Sequence, residues 1–550
     1  MLSGQVVPDF MENKENFTDP SDGIGNRIEE NIQEGRSRPP SSLVWAIALA
    51  ALILFLSSSL RHALFQSTAF DLGIFDQAIY LISQNQTPFS SLMGIHILGD
   101  HAAIVHYLLA LPYKIYPNVH WLFLVQAIAL SLGAWPSWSL ARLAGLHREQ
   151  SLAIALIYLL YPVVFNINLF DFHPEVIALP AILAAILAAR LNKLAWFCTA
   201  ILLILSCKAV LSITVAAMGF WLLFCEKKPR FGAIALLFGT AWFFIASGKI
   251  IPYFSGSEVA GVGRYGYLGN SLLEIALNLL LKPQLVLGKI LTFDTFKYLF
   301  NLTLPVIWLL LPFSRKIGLG YLTALIPALP TIFINSLSDL PFQRSLAYQY
   351  SVPIVPFLIL AAIDRATTRR ITEKSETSES EKARDRPFLN TVNFAKIPPV
   401  TILSSFRKKF KLPPLWLGMQ LPKTMIIWSL IIFLFLGESK DFLLYLNRLD
   451  TWQATREAIA QVQPQSSILT DNRLAPHFAH RPIVKLLSQL SPQTNLAEFE
   501  YILFNLRHPW PDTDKIGASL ANQLKNSPDF QLTYQKNDVL LFKRNARSNT

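Results

Sequence analysis

Eleven stretches of this chain contain no Asp, Glu, Lys or Arg and are long enough, or nearly so, to form membrane helices. A bilayer core about 30 Å thick needs about 20 apolar helical residues, and fewer where neighbouring helices cover the ends. A charged fraction of only 15% fits this pattern and excludes a soluble multidomain protein. We therefore expect an all-α polytopic membrane bundle of about 11 transmembrane helices. The stretches are residues 43–60, 119–141, 151–170, 176–189, 194–206, 209–225, 231–248, 298–314, 317–334, 345–363 and 424–437.

The positions of basic residues predict the orientation of the bundle. Short loops that carry Lys and Arg stay in the cytoplasm. Arg142 with Arg148, Arg190 with Lys193, the turn 226–230 and the pair 315–316 fall in alternate loops. This places the N-terminus inside, preceded by a polar tail over residues 1–42 that we expect to be disordered.

The positive charge of the chain belongs to the inner face. Residues 364–423 form a basic linker that we expect in the cytoplasm, against anionic lipid headgroups. The net charge of +12 is therefore explained by topology, and we expect no nucleic-acid partner.

Three larger pieces are predicted on the outer side. Residues 61–118 and 249–297 interrupt the core 43–363 and contain apolar residues at helical spacing, which indicates helices on the membrane surface. Residues 440–550, after the last membrane helix at 424–437, read as a small α/β domain. Its expected elements are a helix at TWQATREAIAQV, strands at SSILTDN and FEYILFNL, and a hairpin at FQLTYQKNDVLLFKR that turns at residues 536–538.

Two carboxylates in the first outer piece are candidates for chemistry. Asp71 and Asp76 lie five residues apart, so they share a helix face only if Asp71 precedes the helix. One interpretation makes Asp71 a helix cap and Asp76 a solvated interfacial charge. The other makes one of them a general base, because a partly desolvated carboxylate can titrate near neutral pH.

Histidines accompany carboxylates at two further places. His96, Asp100 and His101 form either a hydrogen-bonded cap or a metal site, although their spacing matches no standard metal pattern. The loop that carries Asp171, His173 and Glu175 is either a helix stop and restart or a polar lining of the same outer site. The metal ligands remain unassigned, and a divalent metal stays open as a cofactor.

Cationic side chains at helix ends could hold an anion. Lys208 separates two apolar runs, where an ammonium either snorkels to the interface or pairs with a carboxylate or ligand. Arg264 with the nearby Tyr267, and Arg344, offer guanidinium groups suited to a phosphate or carboxylate. The polar run 471–482 follows a predicted strand and is a further, weaker candidate for a ligand site.

Six ordered motifs resemble an uncharacterised family of polytopic bacterial membrane proteins, the domain of unknown function 2079. The motifs are FDLGIFDQAIYLISQNQTPFSSLMGIHILGDH, NLFDFHPE, the CK pair at 207–208, RYGYLGNS, PFQRSLAYQYSVPIVP and NRLAPHFAHRP. The resemblance covers residues 45–365 and 440–510. It implies a GT-C-like fold, similar to membrane glycosyltransferases that use polyprenyl-phosphate-linked sugars, and a place in the bacterial plasma (inner) membrane.

The resemblance also implies roles for the candidate residues. Asp71 or Asp76 would be the base or a metal-binding carboxylate, and Lys208, Arg264 or Arg344 would hold the lipid phosphate. Independently of the resemblance, their position at the outer boundary makes the remaining polar candidates expected substrate-binding residues: Asp100, His101, Asp171, His173, Glu175 and Tyr267. The chain departs from the family pattern after Lys208, where residues 209–210 are Ala and Val instead of acidic residues.

Three functions stay open at this point. The first is a transferase that moves a sugar from a polyprenyl-phosphate donor to an acceptor on the outer side. The second is a transporter or lipid flippase, which usually carries charges near the bilayer midplane and an internal repeat. The third is a catalytically silent scaffold. Donor, acceptor and oligomeric state are not fixed by the sequence.

Overall fold

The computed structural model describes residues 38–257, 259–310, 319–368, 422–438 and 445–545. Nearly all of the predicted tail at 1–42 and most of the basic linker at 364–423 lie outside these ranges. Residues 311–318, which join the predicted membrane helices 298–314 and 317–334, also lie outside them.

Every predicted membrane stretch contains helical structure among its described residues, although residues 345–348 at the start of one stretch are not helical. Six helical segments are long and apolar enough to cross a membrane, and shorter apolar helices fill the remaining positions. The six are Ser41–Ala63, His120–Leu143, Arg148–Phe170, Pro229–Ser255, Gly320–Leu337 and Pro341–Thr368. The shorter ones at predicted positions are Glu175–Arg190, Leu194–Cys207, Leu211–Phe224 and Pro422–Leu436. The helix Phe293–Thr303 continues through a 3₁₀ turn, Leu304–Val306, into Ile307–Leu310.

Several segments are interrupted where proline removes a backbone donor. Arg148–Leu159 and Pro162–Phe170 meet at Pro162, so the stretch 151–170 forms two helices instead of one. In the last core segment, 3₁₀ turns at Pro341–Arg344 and Gln349–Ile354 precede a regular helix over residues 355–368. Likewise, Leu319–Ala328 is 3₁₀ and Leu329–Leu337 is α-helical.

Glycines bring two helices of the bundle into backbone contact. A Cβ added at Gly219 would lie 2.2 Å from the backbone nitrogen of Leu236, and one at Gly239 would lie 2.5 Å from that of Ala216. Small residues permit this approach because apolar membrane helices associate through close van der Waals packing. Helices Leu211–Phe224 and Pro229–Ile245 are therefore fixed against each other.

Residues 64–118 form an ordered layer over one end of the bundle, which we call the outer layer. A π-helical segment, Ala69–Gly73, leads into helix Ile74–Ser83. Strands β1 (Phe89–Ser90) and β2 (Ile95–His96) pair antiparallel. The short helix Leu98–His101 and the helix Val105–Ile115 follow. Helices are thus present at both places where the apolar spacing of this piece predicts them.

The second outer piece differs in one respect from its prediction. The expected amphipathic helix is split into Leu272–Leu281 and Pro283–Ile290, because Pro283 cannot donate to the preceding turn. The segment before it contains a short helix, Ile251–Ser255, and a 3₁₀ turn, Ala260–Tyr265.

The C-terminal domain, residues 445–545, is built on a five-stranded mixed sheet. Its strands are β3 (Ile468–Thr470), β4 (Val484–Leu486), β5 (Tyr501–Asn505), β6 (Phe530–Lys536) and β7 (Val539–Arg544), in the order β4-β3-β5-β7-β6. Strand β3 pairs in parallel with β4 and β5, whereas β7 pairs antiparallel with β5 and β6. Helices Leu449–Ile459 and Asp514–Lys525 accompany the sheet. The predicted helix, two strands and hairpin are confirmed, while β4 and the second helix were not predicted.

Candidate functional site

One helix connects two polar groups at opposite ends of the bundle. Helix Glu175–Arg190 has 16 residues and is therefore about 24 Å long. At its last residue, Arg190 forms ion pairs with Glu226 and Asp364, all from positions predicted to be cytoplasmic. At its first residue, Glu175 belongs to a second polar group, which also contains residues of the outer layer. The structure thus separates the two faces that the charge pattern predicts.

The second polar group, which we call the outer cluster, consists of Asp71, Asp100, His101, His173, Glu175, Lys208 and Arg264. Its members come from the outer layer, from turns between bundle helices and from the loop before Leu272–Leu281. Hydrogen bonds join His173 to Asp71 and Lys208 to Glu175, and the residue after Lys208 donates its amide to the carbonyl of His101. The charges of Lys208 and Arg264 also affect the pKa values of Asp71 and Asp100.

Asp71 precedes the regular helix and faces the cluster. It lies in the π-helical segment, before helix Ile74–Ser83 begins. His173 Nε2 lies 2.9 Å from Asp71 Oδ2, and the Asp71 side chain remains 25% exposed. Burial opposes ionisation of Asp71, but the charge and hydrogen bond of His173, together with Lys208 and Arg264, lower its pKa overall. Asp71 is therefore a charged, partly accessible carboxylate and caps no helix.

Two cations stand on the other side of the cluster. Lys208 follows helix Leu194–Cys207, and its ammonium donates to Glu175 Oε1 at 2.5 Å. The other oxygen of Glu175 is buried and has no hydrogen-bond partner. The guanidinium of Arg264 lies 5.4 Å from the ring centre of Tyr350. Among the described residues, no carboxylate forms an ion pair with Arg264, so it can accept an anionic ligand.

Asp100 and His101 are the remaining two members of the cluster. Burial raises the pKa of Asp100 to about 7, with Asp71 and Glu175 raising it and the two cations opposing them. Burial and the same cations lower the pKa of His101, which keeps its imidazole neutral. The cluster therefore contains a carboxylate whose charge changes near physiological pH.

Asp76 lies in a different environment. Tyr113 donates to its Oδ1 at 2.6 Å, and His480 Nε2 lies 3.1 Å from the same oxygen. The side chain of Asp76 is only 2% exposed, and His480 is stacked on Tyr80. The interpretation of Asp76 as a solvated interfacial charge is wrong, because the C-terminal domain covers it.

Three other candidates are turned away from the cluster. Asp171 pairs with Arg61 and accepts hydrogen bonds from Thr68. Tyr267 donates to the carbonyl of Leu337 at 2.8 Å. Arg344 donates to the carbonyl of Ser338 at 2.6 Å, although its Nε is buried without a partner.

The described residues do not provide a convincing metal site. No group of three or more His, Cys, Asp or Glu side chains in the described ranges has the geometry to hold an ion. His96 is stacked on Phe254 and accepts from the backbone of Leu98, away from Asp100. The donor set expected at His96, Asp100 and His101 is therefore not assembled.

The structure adds residues that the sequence analysis did not single out. The ring of Tyr350 lies against the guanidinium of Arg264, so Tyr350 borders the cluster. Its motif, PFQRSLAYQYSVPIVP, was recognised, but only its arginine was selected. Asn472 was part of the polar run 471–482, yet its partner, the backbone of Ala69, is 403 residues away. No local pattern reveals that contact.

The family model of DUF2079, described as a predicted membrane protein, matches residues 61–541. The chain belongs to the DUF2079 family. This match includes the outer layer, the bundle apart from most of its first helix, and most of the C-terminal domain, so the family resemblance inferred from six motifs is confirmed. No curated protein matches the chain.

Solved structures identify the fold of this DUF2079 member. The crystal structure of ArnT from Cupriavidus metallidurans bound to undecaprenyl phosphate matches with a TM-score of 0.53 at 14% identity, covering 92% of this chain and 98% of ArnT. ArnT in the apo state matches with a TM-score of 0.50 at 14% identity, covering 91% and 97%. The likeness shows that this chain has an ArnT-like fold, and the predicted C-terminal sheet domain is present among the described residues.

Proposed function

We propose that this protein transfers a sugar from a polyprenyl-phosphate donor to an acceptor on the outer side of the bacterial plasma membrane. The observation that carries the proposal is the outer cluster itself. It places the partly exposed carboxylate of Asp71 near the guanidinium of Arg264, which pairs with no described carboxylate, at one end of an ArnT-like bundle. ArnT, whose fold is similar, has been crystallised with undecaprenyl phosphate.

The roles follow from the chemistry of the side chains. Asp71 accepts the proton of an acceptor hydroxyl, whose oxygen attacks the anomeric carbon of the donor. The bond between that carbon and the lipid phosphate breaks, and the phosphate leaves with its electron pair. Arg264 and Lys208 stabilise the charge on the leaving phosphate. His173 holds Asp71 in the ionised state through their hydrogen bond.

The remaining members of the cluster recognise substrate. The unpartnered oxygen of Glu175 accepts a hydrogen bond from a sugar hydroxyl. Asp100 and His101 belong to the same cluster and also contact the substrate. Asp171, Tyr267 and Arg344 bind protein backbone or Arg61, so we assign them to the support of the site.

The test must separate transfer from transport. Purified protein in proteoliposomes is supplied with polyprenyl phosphate carrying a radiolabelled sugar and with a mixture of cell-envelope acceptors. The proposal expects a covalent labelled product together with free polyprenyl phosphate. Movement of the labelled lipid across the bilayer without a product would instead support a flippase, and neither outcome would support a silent scaffold.

Arg264→Met provides an internal check on the phosphate assignment. The variant loses the cation but keeps an apolar stem of similar length. Its Michaelis constant for the donor rises and its rate falls, since a charge-assisted contact to phosphate is lost. Lys525→Met, on an exposed helix of the C-terminal domain, is the matched control and retains normal transfer.

A further inference from the structure

The backbone immediately before Asp71 is held from two distant parts of the chain. The amide of Ala69 donates to Asn472 Oδ1 at 2.8 Å and to the Asn472 carbonyl at 2.9 Å. The preceding amide, of Thr68, donates to Asp171 Oδ2 at 3.0 Å. Amides at the start of a helix lack partners within the helix, so external acceptors determine how the helix begins.

The turn that carries Asn472 is held in place by hydrogen bonds of its own. Asp471 Oδ1 accepts from the backbone amides of Arg473 and Leu474, at 2.9 and 3.0 Å. These bonds fix the turn that contains Asn472, ahead of the 3₁₀ helix Ala475–Phe478. Asp471 and Asn472 are both buried.

Further contacts hold the segment after this 3₁₀ helix against the outer layer. Gln77 donates to the carbonyl of Arg481 at 2.9 Å, and His480 Nε2 lies 3.1 Å from Asp76 Oδ1. The C-terminal domain thus contacts both the segment before helix Ile74–Ser83 and the first turn of that helix. Within the described residues, no hydrogen bond joins Asn472 to a member of the outer cluster, so it acts through Ala69.

We propose that Asn472 is a positioning residue, which aims Asp71 by fixing the amide of Ala69 two residues earlier. The inference rests on the proposed function, because it concerns the geometry of the base in that reaction. It gives the C-terminal domain a role in the site, although the domain supplies no member of the outer cluster.

The experiment compares three variants of the full chain. Asn472→Ala removes the side-chain acceptor, Asn472→Asp retains an acceptor oxygen at the same place, and Asn522→Ala changes an exposed asparagine of the same domain. For Asn472→Ala we expect kcat to fall about 10- to 100-fold with an unchanged KM for the polyprenyl donor, because misplacement of a reacting group slows chemistry more than binding. Asn472→Asp restores most of kcat, and Asn522→Ala behaves as wild type.

Hydrogen exchange provides a readout that does not depend on activity. The amide of Ala69 exchanges about 3- to 10-fold faster in Asn472→Ala than in wild type, as expected when one hydrogen bond is lost. Exchange in strand β5 stays unchanged, which shows that the domain is folded. Normal exchange at Ala69 together with a normal kcat would overturn the inference, as would faster exchange throughout β5.

The two proposals fail in distinguishable ways. If wild-type protein transfers no sugar from any polyprenyl-phosphate donor, the proposed function fails, and the exchange at Ala69 still shows whether Asn472 fixes this backbone. If wild type is active and Asn472→Ala loses donor binding but keeps kcat, the positioning role is contradicted while the transferase stands.

Discussion

Asp71 and Asp76 are five residues apart but differ in burial, partners and accessibility. The sequence identified both as candidates and could not choose between them. The choice depends on His173 for Asp71, and on Tyr113 and His480 for Asp76, all distant in sequence. The two aspartates could be selected as candidates because polar residues at membrane boundaries are unusual. That they lie in two different environments could be seen only from the fold.

The buried position of Asp76 predicts a role in stability. Asp76→Asn keeps the size of the side chain but removes the charge that attracts His480, so we expect a loss of about 1–3 kcal/mol in the free energy of unfolding. Thermal unfolding in detergent measures this loss. Asp529→Asn, at an exposed site, is the control. Equal midpoints for the two variants would contradict the assignment of Asp76 as a structural contact.

The titration of Asp100 predicts how ligand binding changes with pH. Its native pKa of about 7 lies above the ordinary value of 3.8, so the carboxyl is protonated in acid and ionises as the pH rises. Ionisation adds negative charge beside Lys208 and Arg264, and polyprenyl phosphate should bind more weakly above pH 7. The free energy of unfolding also falls as the pH rises, because the stability contributed by the neutral carboxyl is lost as the pH rises through the native pKa.

A binding titration in detergent between pH 6 and pH 8.5 measures this effect. Asp100→Asn stays neutral at every pH, so its affinity varies less than that of wild type over this range. The variant also corrects for ionisation of the lipid phosphate, which is common to both proteins. Parallel pH profiles for the two proteins would show that Asp100 does not titrate in the site.

At the scale of elements, the close contact between two bundle helices predicts that substitution of Gly219 destabilises the protein. Gly219→Ala places a Cβ 2.2 Å from the Leu236 backbone nitrogen, so helices must separate, and overpacking of this kind costs about 1–3 kcal/mol. Gly248→Ala is a matched control, since an added Cβ at Gly248 meets nothing within 4 Å. Thermal unfolding should lower the midpoint of the first variant only. A reduction of the same size in both would contradict the packing argument.

The elements themselves were largely predictable because membrane helices leave a strong signal. Runs without charge marked the helices, and the alternation of basic loops marked the two ends of Glu175–Arg190. The features not predicted include strand β4 at the edge of the sheet, helix Asp514–Lys525 and the division of the amphipathic segment at Pro283. Short elements depend on their neighbours more than on their own sequence.

At the scale of the whole molecule, bundle, outer layer and C-terminal domain meet at one end. The sequence predicted these parts separately and assigned the outer layer and the C-terminal domain to the same side of the membrane. Contacts such as Ala69 with Asn472 and Trp452 with the Ala63 carbonyl join parts that are about 400 residues apart. Such contacts have no local signature. The ArnT-like fold brings the outer cluster together, and the transferase proposal depends on that assembly.

The most direct test of this account is a single-turnover measurement with the purified full chain and a polyprenyl phosphate that carries a labelled sugar. Wild type and Asp529→Asn should form labelled product at the same rate. Asp71→Asn should react about 10²- to 10⁴-fold more slowly, the usual contribution of a general base. Product formation at the wild-type rate by Asp71→Asn would contradict the role of Asp71 and, with it, the assignment of the outer cluster as the site of transfer.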